Sequence, residues 1–397
     1  MPLPDSISDL PAVGRVDVLR LSPEATFTYA AAFVDLHADL RAACRAVLDA
    51  VAESRAEFGP HLEMLRYHCV AALGTLNLSE LQREDPDGWS LPPEVSDVQD
   101  SILRRNRAFV GYIEEIVALA RESDVEVLVR KGLPLAVRAR GHLTAREPSD
   151  IDLLVKRSDA ARLIATLDQS GFRPKYTRAM EGLLAVGGQN LGDRVRDIGG
   201  DIGRLDIGFS TSYFDRRSGF DLPIDGVFER ATTVSVGGVD VPVASEVDFA
   251  IDVSAHFAKD AQSLLAIEGG YDLLLYKFSD VARLARRLAG LGSLEAFTAS
   301  VHEHGLAKPI LHALWCARHF DPKCVDDGML RKLASGIDDF SYLSEFGRSE
   351  GYDGRWRGAD ADIVARTFDH TRMERFSGQS RLLERALRAR LGPDGQA

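Results

Sequence analysis

Apolar positions recur at helical spacing through the first quarter of the chain. Phe33, Leu36, Leu40, Cys44, Leu48 and Val51 form one stripe, and Ser22-Pro23-Glu24 ahead of them is a helix start. One helix is therefore expected over residues 22–55 and a second over 60–75, after an irregular lead-in. Residues 84–95 are crowded with Pro, Gly and Asp and read as a linker. Beyond it a helix is expected over 97–122, carrying Ile102, Phe109, Ile113, Ile116, Val117 and Leu119 on one stripe.

The pattern then alternates between strand and helix. Residues 124–129 and 151–155 are short apolar runs, as buried strands are. Between them 133–140 can make one or two helical turns. Ser158 is placed to cap a helix running to about residue 170, with Leu163, Ile164 and Leu167 inward and Gly171 as its stop. Further strands are expected at 172–178, 182–187 and 203–210. In the last, Leu205, Ile207 and Phe209 face one way and Asp206 the other. Gly237-Gly238 between Val-rich arms signals a hairpin over 234–243. Helices return at 247–259, 271–291, 294–304 and 308–319, with a basic amphipathic helix at 379–391 that reads as the solvated face of a packed helix. The expected fold class is α+β: a mixed sheet with helices over residues 96–245, flanked by an N-terminal helical region (1–95) and a C-terminal helical domain (246–397).

Two segments carry candidate chemistry. Val127 to Gly132 (VLVRKG) ends a strand in a Lys131-Gly132 turn. Arg146 to Val155 (REPSDIDLLV) opens the next strand with Asp150 and Asp152. Residues two apart on a strand share a face, so these carboxylates converge. Like charges held close repel unless a cation lies between them. A divalent metal meets that need, and Mg²⁺ favours a few carboxylates together with substrate phosphates. Phosphoryl or nucleotidyl transfer follows as the expected chemistry. Asp206 is the preferred third carboxylate, with Asp201 and Asp197 as alternatives. Lys131 offers a phosphate a point charge and Arg146 a planar fork, or Arg146 pairs with Asp150 and orients it. Ser149 reads as a cap or hydrogen-bond partner for a carboxylate. Arg138, Arg140 and His142 read as an exposed helix face, and His256 as a satisfied histidine.

The order of strand, Lys-Gly turn, helix, Asp-Ile-Asp strand and later Leu-Asp strand resembles the DNA polymerase β-type nucleotidyltransferase superfamily. More closely, Lys131-Gly132, Arg146, the block Asp150 to Val155 and Leu205-Asp206 resemble a bacterial uncharacterised nucleotidyltransferase family, over about residues 97–290. His256 falls in a helix similar to one in that family's tail. The resemblance implies a nucleotidyltransferase-type mixed sheet. It also implies Mg²⁺ or Mn²⁺ held by Asp150, Asp152 and Asp206, and an NTP such as ATP bound through Lys131, Gly132, Arg146 and Ser149. The chain departs from the superfamily in two ways. Leu133-Pro134 follows Gly132, and Pro134 has no N–H for a phosphate. Residues 133–149 also make a longer connection than in compact members.

Composition narrows the partners. The 397 residues carry 48 basic and 60 acidic side chains, a net charge of −12. A field of that sign does not favour bulk nucleic acid. No run of about 18–20 apolar residues suggests a membrane span. The N-terminus has no basic, then apolar, leader pattern, and the four cysteines form no close-spaced metal or redox motif, so a cytoplasmic protein is expected. The expected activity is transfer of a nucleoside monophosphate from an NTP to a small-molecule or protein acceptor. The alternatives are a toxin-like tRNA-modifying enzyme and a non-catalytic scaffold.

Overall fold

The protein is described by a computed structural model over residues 20–175, 193–200, 202–210, 224–345, 356, 362–371 and 374. Two compact units are present. One is made of Thr75–Phe249, the other of Met1–Gly74 with Ala250–Ala397.

The Thr75–Phe249 unit is α+β. Five strands, β1 (Val127–Arg130), β2 (Asp150–Val155), β3 (Arg173–Pro174), β4 (Arg194–Gly199) and β5 (Gly203–Ser210), form a mixed sheet in the order β1-β2-β5-β4-β3. The β2–β5 pair is parallel and the others are antiparallel. The parallel pair requires a crossover, which the helix Ala160–Gln169 and the strands after it supply.

Strand parity divides the sheet's two faces. Val127, Val129, Ile151, Leu153, Val155, Leu205, Ile207 and Phe209 are buried with Phe109, Ile113 and Ile116 of the helix Pro93–Glu122 and Leu163 and Leu167 of the helix Ala160–Gln169. Truncating such a residue, Ile207→Ala for example, costs about 2–5 kcal/mol. The even-numbered residues of β2 and β5 occupy the other face, and the polar ones among them build the site. A small hairpin of β6 (Thr232–Val236) and β7 (Val239–Val243) closes the unit. Its turn, Gly237-Gly238, has φ of 59° and 90°, positive values that glycine adopts without strain.

Several expectations are corrected. The helix expected over 22–55 is broken into Pro23–Phe33, a 3₁₀ turn and Arg41–Ala52. Side-chain contacts at the break hold it: Asp35 accepts from Arg283 at 2.5 and 2.8 Å, and His37 Nε2 lies 3.1 Å from Asp321 Oδ1. The helix expected over 60–75 splits into Gly59–Tyr67 and Ala71–Glu84. At the split, the carbonyl of His68 and its Nδ1 accept hydrogen bonds from the backbone N–H groups of Tyr276 and Leu275. Ser158 does not cap the next helix, since Asp159 stands at that position, with no side-chain hydrogen bond capping the helix. Of the strand expected at 172–178, the described residues 172–175 form only Arg173–Pro174, which ends on a proline that lacks a ladder N–H, and 176–178 lie outside the described residues. Strand β4 was not foreseen. The expected strand at 182–187, the terminal helix at 379–391 and Asp201 lie outside the described residues.

The Met1–Gly74 and Ala250–Ala397 unit is helical in its described part. Its longest members are Glu246–Ala261, which begins in the other unit, Leu275–Gly290 and Ala307–Phe320. Among the described residues, no helix is long and apolar enough to cross a membrane.

Candidate nucleotidyl-transfer site

The loop ahead of β2 is fixed from one side by the helix Pro93–Glu122. The buried Asn106 donates through Nδ2 to the carbonyls of Leu143 and Arg146, at 2.8 and 2.7 Å. Arg105 Nη2 donates to the Pro148 carbonyl at 3.2 Å, and Thr144 Oγ1 donates to Gln99 at 2.8 Å. These bonds fix where the chain enters β2, and so where Asp150 stands.

Asp150 and Asp206 are direct partners in the parallel β2–β5 register, and Asp152 is the partner of Gly208. Partners across a ladder share a face, and so do residues two apart. Asp150, Asp152 and Asp206 therefore lie together on the sheet face opposite the core. Protein packed around the Asp150 carboxylate is the first cause that raises its pKa, to about 6, although the residue itself is exposed. The Asp152 charge adds to the rise, while Lys131, the Ser149 hydroxyl and Lys175 oppose it. Ser149 Oγ lies 3.4 Å from Asp150 Oδ1, a long hydrogen bond.

Side-chain cations stand among these acids. Lys131 Nζ is 3.5 Å from Asp152 Oδ2. Lys175 Nζ is 2.8 Å from Asp206 Oδ2, and Arg204 Nε is 2.8 Å from Asp206 Oδ1. Lys131 holds φ at 41° with ψ at −141°, an uncommon backbone state for a residue with a side chain, just before the helix Gly132–Arg140. Strain of that kind persists where the surroundings over-determine it and is concentrated at functional sites.

A model of the uncharacterised nucleotidyltransferase family matches residues 54–321. The chain belongs to that family. None of the curated proteins and none of the solved structures matches it. Membership supports nucleotidyl transfer as the class of reaction and a nucleotide as substrate. It also accords with the α+β unit built around a mixed sheet.

For a member of this family, two site residues went unforeseen. Lys175 falls in the strand expected at 172–178 and Asp193 just ahead of the unforeseen β4, and they meet because the Lys175 N–H donates to the Asp193 carbonyl at 2.9 Å. The β4–β5 pairing brings Asp193 beside Asp206, and the β3–β4 pairing brings Lys175 with it. Asp193 is 9% exposed. Burial raises its pKa first, Lys175 opposes this, Asp152 and Asp206 add to the rise, and the Phe209 backbone N–H opposes it. The signal in the sequence was faint: Asp193 has the parity of the buried Val195.

Other residues have plainer roles. Arg138, expected on an exposed helix face, is buried. It donates to the Ala244 carbonyl at 2.8 Å and to Thr232, and packs over Phe249 at 4.7 Å. An arginine stem covers apolar surface while its head finds carbonyls, which a helical repeat cannot reveal. Arg140 pairs with Glu80 and Asn77, and His142 caps the turn at Thr144. Arg146 is half-buried, with its carbonyl held by Asn106. Asp197, an alternative third carboxylate, pairs at the exposed surface with Arg173. His256 Nε2 lies 3.3 Å from Asp260 Oδ2.

Proposed function

We propose that the protein is a metal-dependent nucleotidyltransferase that moves a nucleoside monophosphate from an NTP to an acceptor, releasing pyrophosphate. The observation that carries this reading is the register of Asp150 beside Asp206 on parallel strands, with Asp152 two residues on, in a chain of this family.

The residues suit a hard divalent cation, because the acids on this face offer only oxygen donors. Among the described residues no three acidic, imidazole or thiol side chains are already drawn together as a metal cage. The cations of Lys131, Lys175 and Arg204 instead balance part of the carboxylate charge. In this reading Asp150, Asp152 and Asp206 hold Mg²⁺ or Mn²⁺, and Lys131 and Lys175 turn toward the incoming triphosphate. Such an ion would polarise the transferring phosphoryl group and lower the pKa of the attacking group. In this reading Lys131 meets phosphate charge that remains after the metal is counted, and Gly132, Arg146 and Ser149 complete the donor-binding set. The raised pKa of Asp150 belongs to the metal-free site, and a bound cation would hold that carboxylate ionised. The acceptor is a small molecule or a protein in this reading, since the net charge of −12 opposes bulk nucleic acid.

Purified protein titrated with NTP and Mg²⁺ or Mn²⁺, with pyrophosphate release as readout, tests the proposal. Asp152→Asn is expected to keep the fold and lose Mg²⁺-dependent NTP binding, because an amide lacks the charge that offsets the cation. A double Asp150→Asn/Asp152→Asn variant that binds Mg²⁺-NTP like the parent overturns the site. Binding without pyrophosphate release across a range of acceptors favours a scaffold descended from the fold.

A further inference from the structure

The β4–β5 register pairs Arg194 with Ile207. Carried one residue further, it brings Asp193 level with Gly208, whose partner on the other side is Asp152. Asp152, Gly208 and Asp193 thus form one row across the sheet, and the middle position has no side chain. A Cβ built on Gly208 would stand 2.9 Å from Asp152 Oδ1 and 3.9 Å from Asp193 Oδ1. Gly208 is not at a positive φ, so backbone conformation does not demand glycine there. The space above it does.

Asp193 Oδ1 is buried and has no hydrogen-bond partner. Its sister oxygen lies 4.0 Å from Lys175 Nζ, which is closer to Asp206. A buried carboxylate oxygen without a donor carries an uncompensated desolvation cost. Such an atom calls for a specific explanation. This oxygen borders the space over Gly208, with Asp152 on the far side, where a cation would meet Asp193 Oδ1 and Asp152 together.

We propose that Asp193 is a further metal ligand of the site, holding a divalent cation over Gly208 together with Asp152. The proposal rests on the nucleotidyltransferase reading above and extends its ligand set by one acid. Gly208 then serves as the opening that lets the two carboxylates share one ion, and Lys175 as the counter-charge when the ion is away.

Mn²⁺ titration of the full chain without nucleotide, followed by electron paramagnetic resonance and by melting temperature, decides it. Asp193→Asn is expected to weaken Mn²⁺ binding by about tenfold or more, in keeping with the effect of removing groups that support a metal. It should hold or raise the melting temperature of the metal-free protein, because three carboxylates no longer crowd one another. Gly208→Ala should also weaken Mn²⁺, with every charge kept, because its methyl fills the space. If Asp152→Asn weakens Mn²⁺ while Asp193→Asn does not, the inference fails and the function stands. If neither matters, both fall. Should Asp193→Asn not fold, a folded Gly208→Ala with parental Mn²⁺ affinity overturns the inference.

Discussion

Lys131 carries a cost in its backbone and a charge at its tip, and the two can be separated. Its positive φ places it where side-chain residues lose on the order of 1–3 kcal/mol. Lys131→Gly should relieve that strain and raise the melting temperature, with a gain near 1 kcal/mol after glycine's extra freedom in the unfolded chain. Lys131→Ala keeps the strain. Both should raise the NTP dissociation constant about tenfold, on the order of 1.4 kcal/mol, read by NTP titration beside a thermal melt. Unchanged NTP affinity in both variants would move the phosphate role to Arg146. Asp150 gives a second test at this scale. Its pKa is raised from 3.8 to about 6 in the fold. Below pH ~4 the carboxyl is protonated in both folded and unfolded chains, and above ~6 it is ionised in both. The cost of ionising it in the folded, metal-free protein therefore builds up as pH rises through that window. Asp150→Asn should gain stability relative to the parent between pH ~4 and ~6 and hold that gain at higher pH. A stability difference independent of pH would show that the carboxylate is not held at a raised pKa.

The long helix Pro93–Glu122 acts as the clamp for the Asp150 loop. Its apolar stripe was legible from residue spacing, because packing one helix face on a sheet imposes the 3.6-residue repeat. Its polar contribution was not, because Asn106 reaches carbonyls 37 and 40 residues away. Asn106→Ala would leave both carbonyls short of a donor, at about 1–3 kcal/mol. It is expected to lower the melting temperature and, once folded at low temperature, to weaken Mg²⁺-NTP binding through a displaced Asp150. Melting and nucleotide titration of the same sample check this; a destabilised variant with parental affinity would limit Asn106 to a packing role. The β5 strand shows the opposite case. Its alternation of Leu205, Ile207 and Phe209 with Asp206 was readable directly, since strand parity is a property of the local chain.

At the scale of the whole molecule, the net charge of −12 is carried partly by acids held in ion pairs. Asp321 is fully buried. Burial pushes its pKa up, but hydrogen bonds from Arg286, at 2.5 and 2.6 Å, and from His37 outweigh it and hold it down to about 2. A pKa lowered in the fold adds stability that is complete above the unfolded value near 4 and disappears as pH falls toward 2. Asp321→Asn should therefore cost on the order of 2 kcal/mol near neutral pH, and its deficit against the parent should shrink between pH ~4 and ~2. Denaturant melts at stepped pH measure it, and a deficit that persists at pH 2 would assign the effect to packing.

The sequence by itself determined the elements whose signal is local. The Lys-Gly turn, the Asp150–Asp152 parity, the β5 alternation, the Gly237-Gly238 hairpin and the helical stripes follow from spacing within a few residues. Those features were enough to identify the α+β class and the family resemblance. The tertiary structure decided what depends on distant partners. It set the register that puts Asp150 beside Asp206. It broke the first helices where Asp35, His37 and His68 find partners more than 200 residues away. It turned Arg138 inward, and it brought Lys175 and Asp193 to the acids through a strand that no periodicity announced. Strand order and register are fixed by the burial of one shared face and by chain closure, and neither is encoded at any single position.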